Sequence, residues 1–197
     1  MQSLVKFAVG ATASFCLIAG AVSPASASTA LDATIARQAA QAGLDHSQVM
    51  KLQARIDEQM ALTPNGRRIG LNQVSWRGGK AVMTFPLPGE KQARAVNEPL
   101  TALGSPNCSY QWTCLYEHSN FDGRRLTWSD CGGIIDLSDW GFSDQTTSYH
   151  NNQTSGTKTR VYNWTGAWTL LWTSTAPSAS SNVGSAYNDK ADGIDVC

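Results

Sequence analysis

The chain has 197 residues, 42% of them hydrophobic and 15% charged, and its 15 Lys/Arg balance 15 Asp/Glu to a net charge of zero. A chain this neutral lacks the basic footprint that nucleic-acid binding needs. The charge is uneven, however. Residues 28–104 hold nine Lys/Arg and six Asp/Glu, whereas residues 105–197 hold five and nine. Opposite signs of this kind mark two segments with different tasks that are suited to contact.

In chain order, Lys6 precedes an apolar run over residues 7–22, and Pro24-Ala25-Ser26-Ala27 supplies small residues for cleavage. The pattern predicts a secretory signal peptide, residues 1–27, cut after Ala27, and a secreted, extracellular mature protein. The run falls short of the roughly 20 residues of a membrane span. Cys16 lies inside it rather than at the cut, against a lipid anchor, so no membrane association is expected after signal removal. Residues 30–43 are alanine-rich and read as a helix with a weak apolar face. Residues 46–62 read as a stronger helix, with Val49, Leu52, Ile56 and Met60 forming one stripe. Asp45 and Gln48 have the spacing of a capping box, and Pro64-Asn65-Gly66 ends the helix.

Two strand-like runs, 71–76 and 81–85, flank Arg77-Gly78-Gly79-Lys80, a tight-turn sequence. Residues 28–89 therefore form a helix and hairpin leader segment, short of core for a stable domain by itself. Residues 90–107 carry turn signals at Pro99, Gly104 and Pro106 and read as a linker, with Lys91 and Arg94 as proteolytic nick sites. The alternative is an ordered loop lying on the following domain.

From residue 108 the character changes. Six of seven tryptophans and all five tyrosines lie there, and short apolar pairs alternate with turn clusters. This is the signature of an all-β sandwich or barrel. The segment also repeats itself. Tyr116 maps to Tyr162, Trp128 to Trp172 and Asp144 to Asp189, a period of about 45 that marks duplicated units. Without Cys16, four cysteines remain. An even number in an exported chain predicts two disulfides. Of three pairings, the reading favours Cys108–Cys114 as a local staple and Cys131–Cys197, which ties the last residue to the first repeat. Zinc fails on spacing, since no Cys-x-x-Cys pair exists and no histidine lies close to the cysteines in sequence.

Cys114-Leu115-Tyr116-Glu117, Asn120-Phe121-Asp122-Gly123, Trp140-Gly141-Phe142-Ser143-Asp144 and Tyr187-Asn188-Asp189-Lys190-Ala191 resemble the βγ-crystallin fold. More narrowly, they look like the secreted actinobacterial peptidase-inhibitor family of the Streptomyces metalloproteinase-inhibitor type. The resemblance implies a mainly β chain. A βγ-crystallin-like double Greek-key sandwich spans residues 108–197, preceded by the helix plus β-hairpin leader. It also implies a secreted peptidase as partner, with metallopeptidases first, though no reactive loop is identified. Tyr116 and Phe121 are expected to pack across a folded hairpin that Gly123 permits through a positive φ, with Ser129 bonding to it. The second repeat has no glycine aligned with Gly123.

The family's calcium sites imply Asp144 and Thr147 as side-chain ligands, with carbonyls from Gln145 and Glu117. In the second repeat, Asp189 and the Lys190 carbonyl take those parts. Both copies of the motif are imperfect, and the other reading is that these stretches cap turns. Calcium is thus an optional ligand, and no cofactor is required. A second function class is a binding module for cell-wall glycans or a competitor's cell surface. It would use Trp164, Trp168 and Trp172, which otherwise fill the core. An enzyme is not expected: Gly-x-Ser-x-Gly and His-Glu-x-x-His are absent, His118 and His150 are isolated, and Asp122, Asp130, Asp136 and Asp139 are scattered.

Overall fold

The computed structural model of the protein describes residues 24–197. The expected signal peptide lies outside the described residues except for its last few positions, which fall in the first turn of α1 (Pro24–Gln41). Helix α2 (His46–Leu62) starts where the sequence places it. The Asp45 carboxylate accepts the Gln48 N–H and the Gln48 side chain accepts the Asp45 N–H, both at 2.9 Å. Its inner face buries Leu52, Ile56 and Gln59, with Val49 and Met60 partly buried beside them.

Eleven short strands follow. The leader supplies β1 (Arg67–Arg68), β2 (Gln73–Trp76) and β3 (Ala81–Thr84). The first repeat supplies β4 (Thr113–Tyr116), β5 (Arg125–Trp128), β6 (Ile134–Asp136) and β7 (Ser148–Asn151). The second supplies β8 (Lys158–Trp164), β9 (Trp168–Thr175), β10 (Ser178–Ser180) and β11 (Gly193–Asp195). They form two antiparallel sheets, ordered β1-β2-β3-β5-β4-β7-β10 and β6-β11-β8-β9. The third strand of each repeat crosses into the other repeat's sheet. Neither repeat can close a core alone, and the exchange makes them interdependent. This is the double Greek-key sandwich that the resemblance implies.

Register corrects one detail of the repeat. Leu115 pairs with Leu126 in the first repeat, and Val161 pairs with Trp172 in the second, each partner 46 residues on. Trp172 is therefore the counterpart of Leu126. Trp128, which pairs with Thr113, corresponds to Ser174, which pairs with Thr159. A bulge between Val161 and Tyr162 takes up one residue of β9, Leu171, beyond Trp172. Thr113 and Thr159, equivalent in the two repeats, meet at 3.0 Å between their hydroxyls.

The leader is not a separate lobe. Strand β3 pairs with β5, from Ala81 opposite Trp128 to Thr84 opposite Arg125, so the hairpin extends the first sheet. Leu52, Ile56, Val74, Trp76, Met83 and Phe85 share one core with Trp128, Leu137, Trp140 and Phe142. Trp140 joins the two parts, with ring centroids 5.0 Å from Trp76 and 6.4 Å from Trp128, both edge to face.

The linker reading of residues 90–107 is also corrected. Ala93 and Ala95 are buried, and the Gly123 N–H donates to the Lys91 carbonyl at 2.8 Å. Arg94 is no open nick site. Its guanidinium is paired with Glu90 and donates to the Val96 and Glu98 carbonyls. Glu98 in turn meets the buried Arg125 at 2.9 Å. Polar contacts and two alanines hold this segment down, which is why its sequence shows no apolar periodicity.

Candidate functional site

The two polar stretches singled out from the sequence meet across the approximate two-fold between the repeats. The Asp144 N–H donates to the Ala191 carbonyl at 2.9 Å, and the Asp189 N–H donates to the Thr146 carbonyl at 3.2 Å. Likewise the Thr147 N–H reaches the Tyr116 carbonyl at 3.0 Å and the Asp192 N–H the Tyr162 carbonyl at 2.8 Å. Asp144 and Asp189 have left-handed backbones with φ of 54° and 53°, a conformation that aspartate tolerates better than most residues. Two equivalent turns are therefore locked to each other through main-chain bonds.

Their side chains are engaged differently from the calcium expectation. The Thr147 hydroxyl donates to Asp189 Oδ1 at 3.4 Å, Asn188 Nδ2 donates to Asp189 Oδ2 at 2.6 Å, and Lys190 Nζ donates to the Ala186 carbonyl. Asp144 is exposed, and its carboxyl is pushed up by partial burial and by the charges of Asp192 and Asp189. Glu117 and Gln145 turn to Arg124 instead. Arg124 makes a two-pronged pair with the Glu117 carboxylate at 3.0 and 3.2 Å, bonds to Gln145 Oε1 and Gln59 Oε1, and lies 5.4 Å from the centre of the Phe142 ring. Burial raises the Glu117 carboxyl, but the Arg124 hydrogen bonds and charge outweigh it and hold the group below its ordinary value. Among the described residues, no three His, Cys, Asp or Glu side chains gather as a metal-holding set. These residues would hold calcium only once the Thr147–Asp189 contact opened; as they stand, the two turns are closed by hydrogen bonds.

Gln59 is the leader's contribution here. It is buried, it donates to the Trp140 carbonyl at 2.9 Å and it accepts from Arg124 at 2.7 Å. The sequence reading placed it on no site. Its position one turn after Ile56, on the buried face of α2, was the available signal.

The folded hairpin of the first repeat has the expected anatomy with one change. Tyr116 and Phe121 meet edge to face at 5.4 Å, and Gly123 has φ of 78°. The serine that ties the hairpin is Ser148, not Ser129. Its hydroxyl donates to the His118 carbonyl at 2.6 Å and accepts the Phe121 N–H at 3.2 Å, whereas Ser129 bonds through its N–H to Lys80. His118 is exposed. His150 is partly buried, and its Nδ1 accepts the Cys108 N–H at 3.2 Å; burial lowers its pKa to about 4. That contact anchors Cys108, which is bonded to Cys114 with Cα atoms 5.8 Å apart. Cys131 is bonded to Cys197 with Cα atoms 5.1 Å apart, so the last residue is tied to the first repeat.

Of the three tryptophans considered for ligand stacking, Trp172 packs on the core and against Tyr149 at 5.8 Å. Trp164 is 53% exposed and meets Trp168 at 4.9 Å near the tip of the β8–β9 hairpin.

Residues 102–171 match the sequence model of peptidase inhibitor family I36. This segment is similar to that inhibitor family over about a third of the chain. Among solved structures, the chain is similar to a βγ-crystallin domain from Clostridium beijerinckii. The two are 27% identical, the match covers 42% of this chain and 93% of that one, and the TM-score is 0.34. It is also similar to spherulin 3a from Physarum polycephalum, at 20% identity, covering 46% and 85% of the two chains with a TM-score of 0.35. No curated protein matches the chain. The matched segment starts inside the loop ahead of Cys108 and runs through the first half of β9. It thus takes in the first disulfide, the folded hairpin and the Asp144 turn. Among the described residues no helix is long and apolar enough to cross a membrane.

Proposed function

We propose that the protein is a secreted inhibitor, not an enzyme, that binds a secreted peptidase of another chain, with metallopeptidases the first class to test. The observation that carries the reading is the inhibitor-family match over residues 102–171. Those residues lie on a scaffold suited to the task. Two disulfides, an interlocked pair of repeats and a shared core limit the entropy lost on binding, which is how a rigid inhibitor gains affinity. Secretion is supported by the signal-like first 27 residues together with paired cysteines, which persist in oxidising compartments. The test is residual activity of a panel of secreted metallopeptidases and serine peptidases after incubation with the purified protein. Stoichiometric loss of one activity supports the reading. Full activity across the panel rejects it.

A second reading is a binding module for cell-wall glycans or a competitor's surface, supported by the exposed indole of Trp164 beside Trp168. Indole faces stack on sugars. Co-sedimentation with insoluble cell-wall glycan, lost in Trp164→Ala, would favour it over inhibition. Calcium belongs with either reading as an accessory ligand, with Asp144, Thr147 and Asp189 at the centre of the turns it would clamp, and no step of inhibition depends on it.

A further inference from the structure

We propose that residues 99–106 are the inhibitory loop, and that Leu103 is the side chain it inserts into a peptidase pocket shaped for a large aliphatic residue. The inference rests on the inhibitor reading and supplies the contact surface that reading lacks.

The loop reads Pro99-Leu100-Thr101-Ala102-Leu103-Gly104-Ser105-Pro106. Leu103 is 88% exposed and Leu100 75%, the two most exposed large apolar side chains among the described residues. Scattered exposed leucines are ordinary, but two on one loop of a protein that binds other proteins mark a contact. The Ser105 N–H bonds to the Ala102 carbonyl at 2.9 Å, and Gly104 has φ of 75°. Leu103 thus stands at the corner of a turn.

That turn is braced from both sides. Gln92 spans its two limbs: Nε2 donates to the Ser105 carbonyl at 2.8 Å, and Oε1 accepts from the Thr101 hydroxyl at 2.5 Å. Gln92 is itself fixed by its bridge to Gly123. At the entering end, Glu98 accepts the Ala95 N–H at 3.0 Å and pairs with buried Arg125. At the leaving end, Asn107 donates to the Ala93 carbonyl at 2.7 Å and accepts from the Tyr116 hydroxyl at 3.0 Å, and the Cys108–Cys114 disulfide follows at once. Prolines at both ends restrict the unbound loop further. An exposed apolar tip on a pre-ordered frame is what binding energy needs, because little entropy remains to be lost.

The chemistry also narrows the partner. No residue from 99 to 106 is charged, so the pocket is neither one that selects basic side chains nor one that selects acidic ones. Active-site clefts take main chain in extended form. The hydrogen-bonded turn and the Gln92 brace keep the 102–105 backbone folded back, so the loop fills the cleft without presenting a cleavable strand.

The experiment uses the full mature chain against a panel of secreted peptidases that prefer large aliphatic residues, with one preferring basic residues as control. Wild type should inhibit within the first group alone. Leu103→Asp should raise the inhibition constant about a hundredfold, the effect of losing a central anchor residue, with an unchanged melting temperature because the side chain is exposed. Gln92→Ala should raise it about tenfold and turn the loop into a substrate cut between residues 101 and 105. Leu170→Ser, an exposed position on β9, should leave inhibition intact. If wild type inhibits but Leu103→Asp inhibits equally well, the loop assignment is overturned and the inhibitor reading stands. Inhibition confined to the control peptidase also overturns it. If wild type inhibits nothing, both fall.

Discussion

In the first repeat, strand β5 carries the leader hairpin on its outer edge; in the second, the equivalent strand β9 is the last of its sheet among the described residues. The hairpins differ in the same sense. The first folds over on Tyr116, Phe121 and Gly123 and is tied by Ser148. In the second, Gly193 stands at the position of Ser148, and the Trp168 ring lies where a side chain would go, 2.6 Å from the place of a Cβ. Duplication supplied two similar halves. One became a buried, multiply braced centre that supports the leader and the 99–106 loop. The other kept an exposed aromatic hairpin.

The largest effect should come from breaking the leader's hold on the first repeat. Ile56 is fully buried and belongs to the same core as Trp128 and Trp140. Ile56→Ala should therefore lower the stability of the whole β sandwich by about 2–5 kcal/mol, measured by denaturant unfolding. A separate low-stability transition with the sandwich unchanged would show that the leader is an independent lobe.

Next is the glycine contrast. Both Gly123 and Gly166 have positive φ, 78° and 92°, so alanine at either meets a backbone penalty of about 1–2 kcal/mol. Only at Gly123 would the new Cβ also collide, with Glu117 Cβ at 2.8 Å and His118 Cδ2 at 2.9 Å; at Gly166 nothing lies within 4 Å. Overpacking adds about 1–3 kcal/mol. Gly123→Ala should melt clearly below Gly166→Ala, and equal melting would deny the folded hairpin its special role. Ser148→Ala should follow, at about 1–3 kcal/mol, since it strands the Phe121 N–H and the His118 carbonyl. Gly193→Ser should not mend the second repeat; it should destabilise it against Trp168.

Much of the architecture was legible before any coordinates. The capping box at Asp45, the stripe through Leu52 and Ile56, the hairpin around Gly78 and the aromatic–glycine pattern at Tyr116 each encode a local geometry in a few neighbouring residues. What escaped was carried by polar contacts between distant residues. The 90–107 segment is fastened by Arg94, Glu98, Gln92 and Asn107 rather than by apolar periodicity, so its sequence resembles a linker. The Arg124 cluster draws on Gln59, Glu117 and Gln145, far apart in the chain. The Trp128–Trp172 match failed because like residues need not share a register: Trp128 lies opposite Thr113, whereas Trp172 lies opposite Val161, two positions along the equivalent ladder.

Acid should act on the first repeat before the second. His150 has its pKa lowered from 6.5 to about 4 by burial. Between those values the unfolded chain binds the proton and the folded chain does not, so stability falls as pH drops from 6.5 towards 4. Glu117 lies below its ordinary value because Arg124 outweighs burial. Its contribution is complete above the unfolded pKa of 4.5 and disappears as pH falls through the lower folded value. Both groups sit in or beside β4 and β7. Hydrogen exchange at pH 4.5 should expose β4 and β7 amides ahead of β8 and β11, and His150→Asn should flatten the upper part of the acid limb. Loss of β8 protection first would reverse the ranking of the repeats.

The smallest expected effect is calcium at the seam between the repeats. The turns at Asp144 and Asp189 are already joined by reciprocal main-chain bonds, so the fold does not wait for a cation. Yet partial burial, joined by repulsion from Asp192 and Asp189, pushes the Asp144 carboxyl up. A divalent ion would relieve that repulsion if it could draw the Thr147 hydroxyl and the carbonyls of Gln145 and Glu117 towards it. Binding to the folded state alone stabilises by mass action, about 1.4 kcal/mol at ten times the dissociation constant. For a domain of this size that is a few degrees of melting temperature. Millimolar calcium should give a shift of that order in wild type and none in Asp144→Asn. The same variant removes one of the three repelling charges, so without calcium it should melt no lower than wild type. A lower melt for Asp144→Asn without the ion would mean that the aspartate serves the turn itself. An absent shift in wild type would leave both repeats with turn caps and no metal.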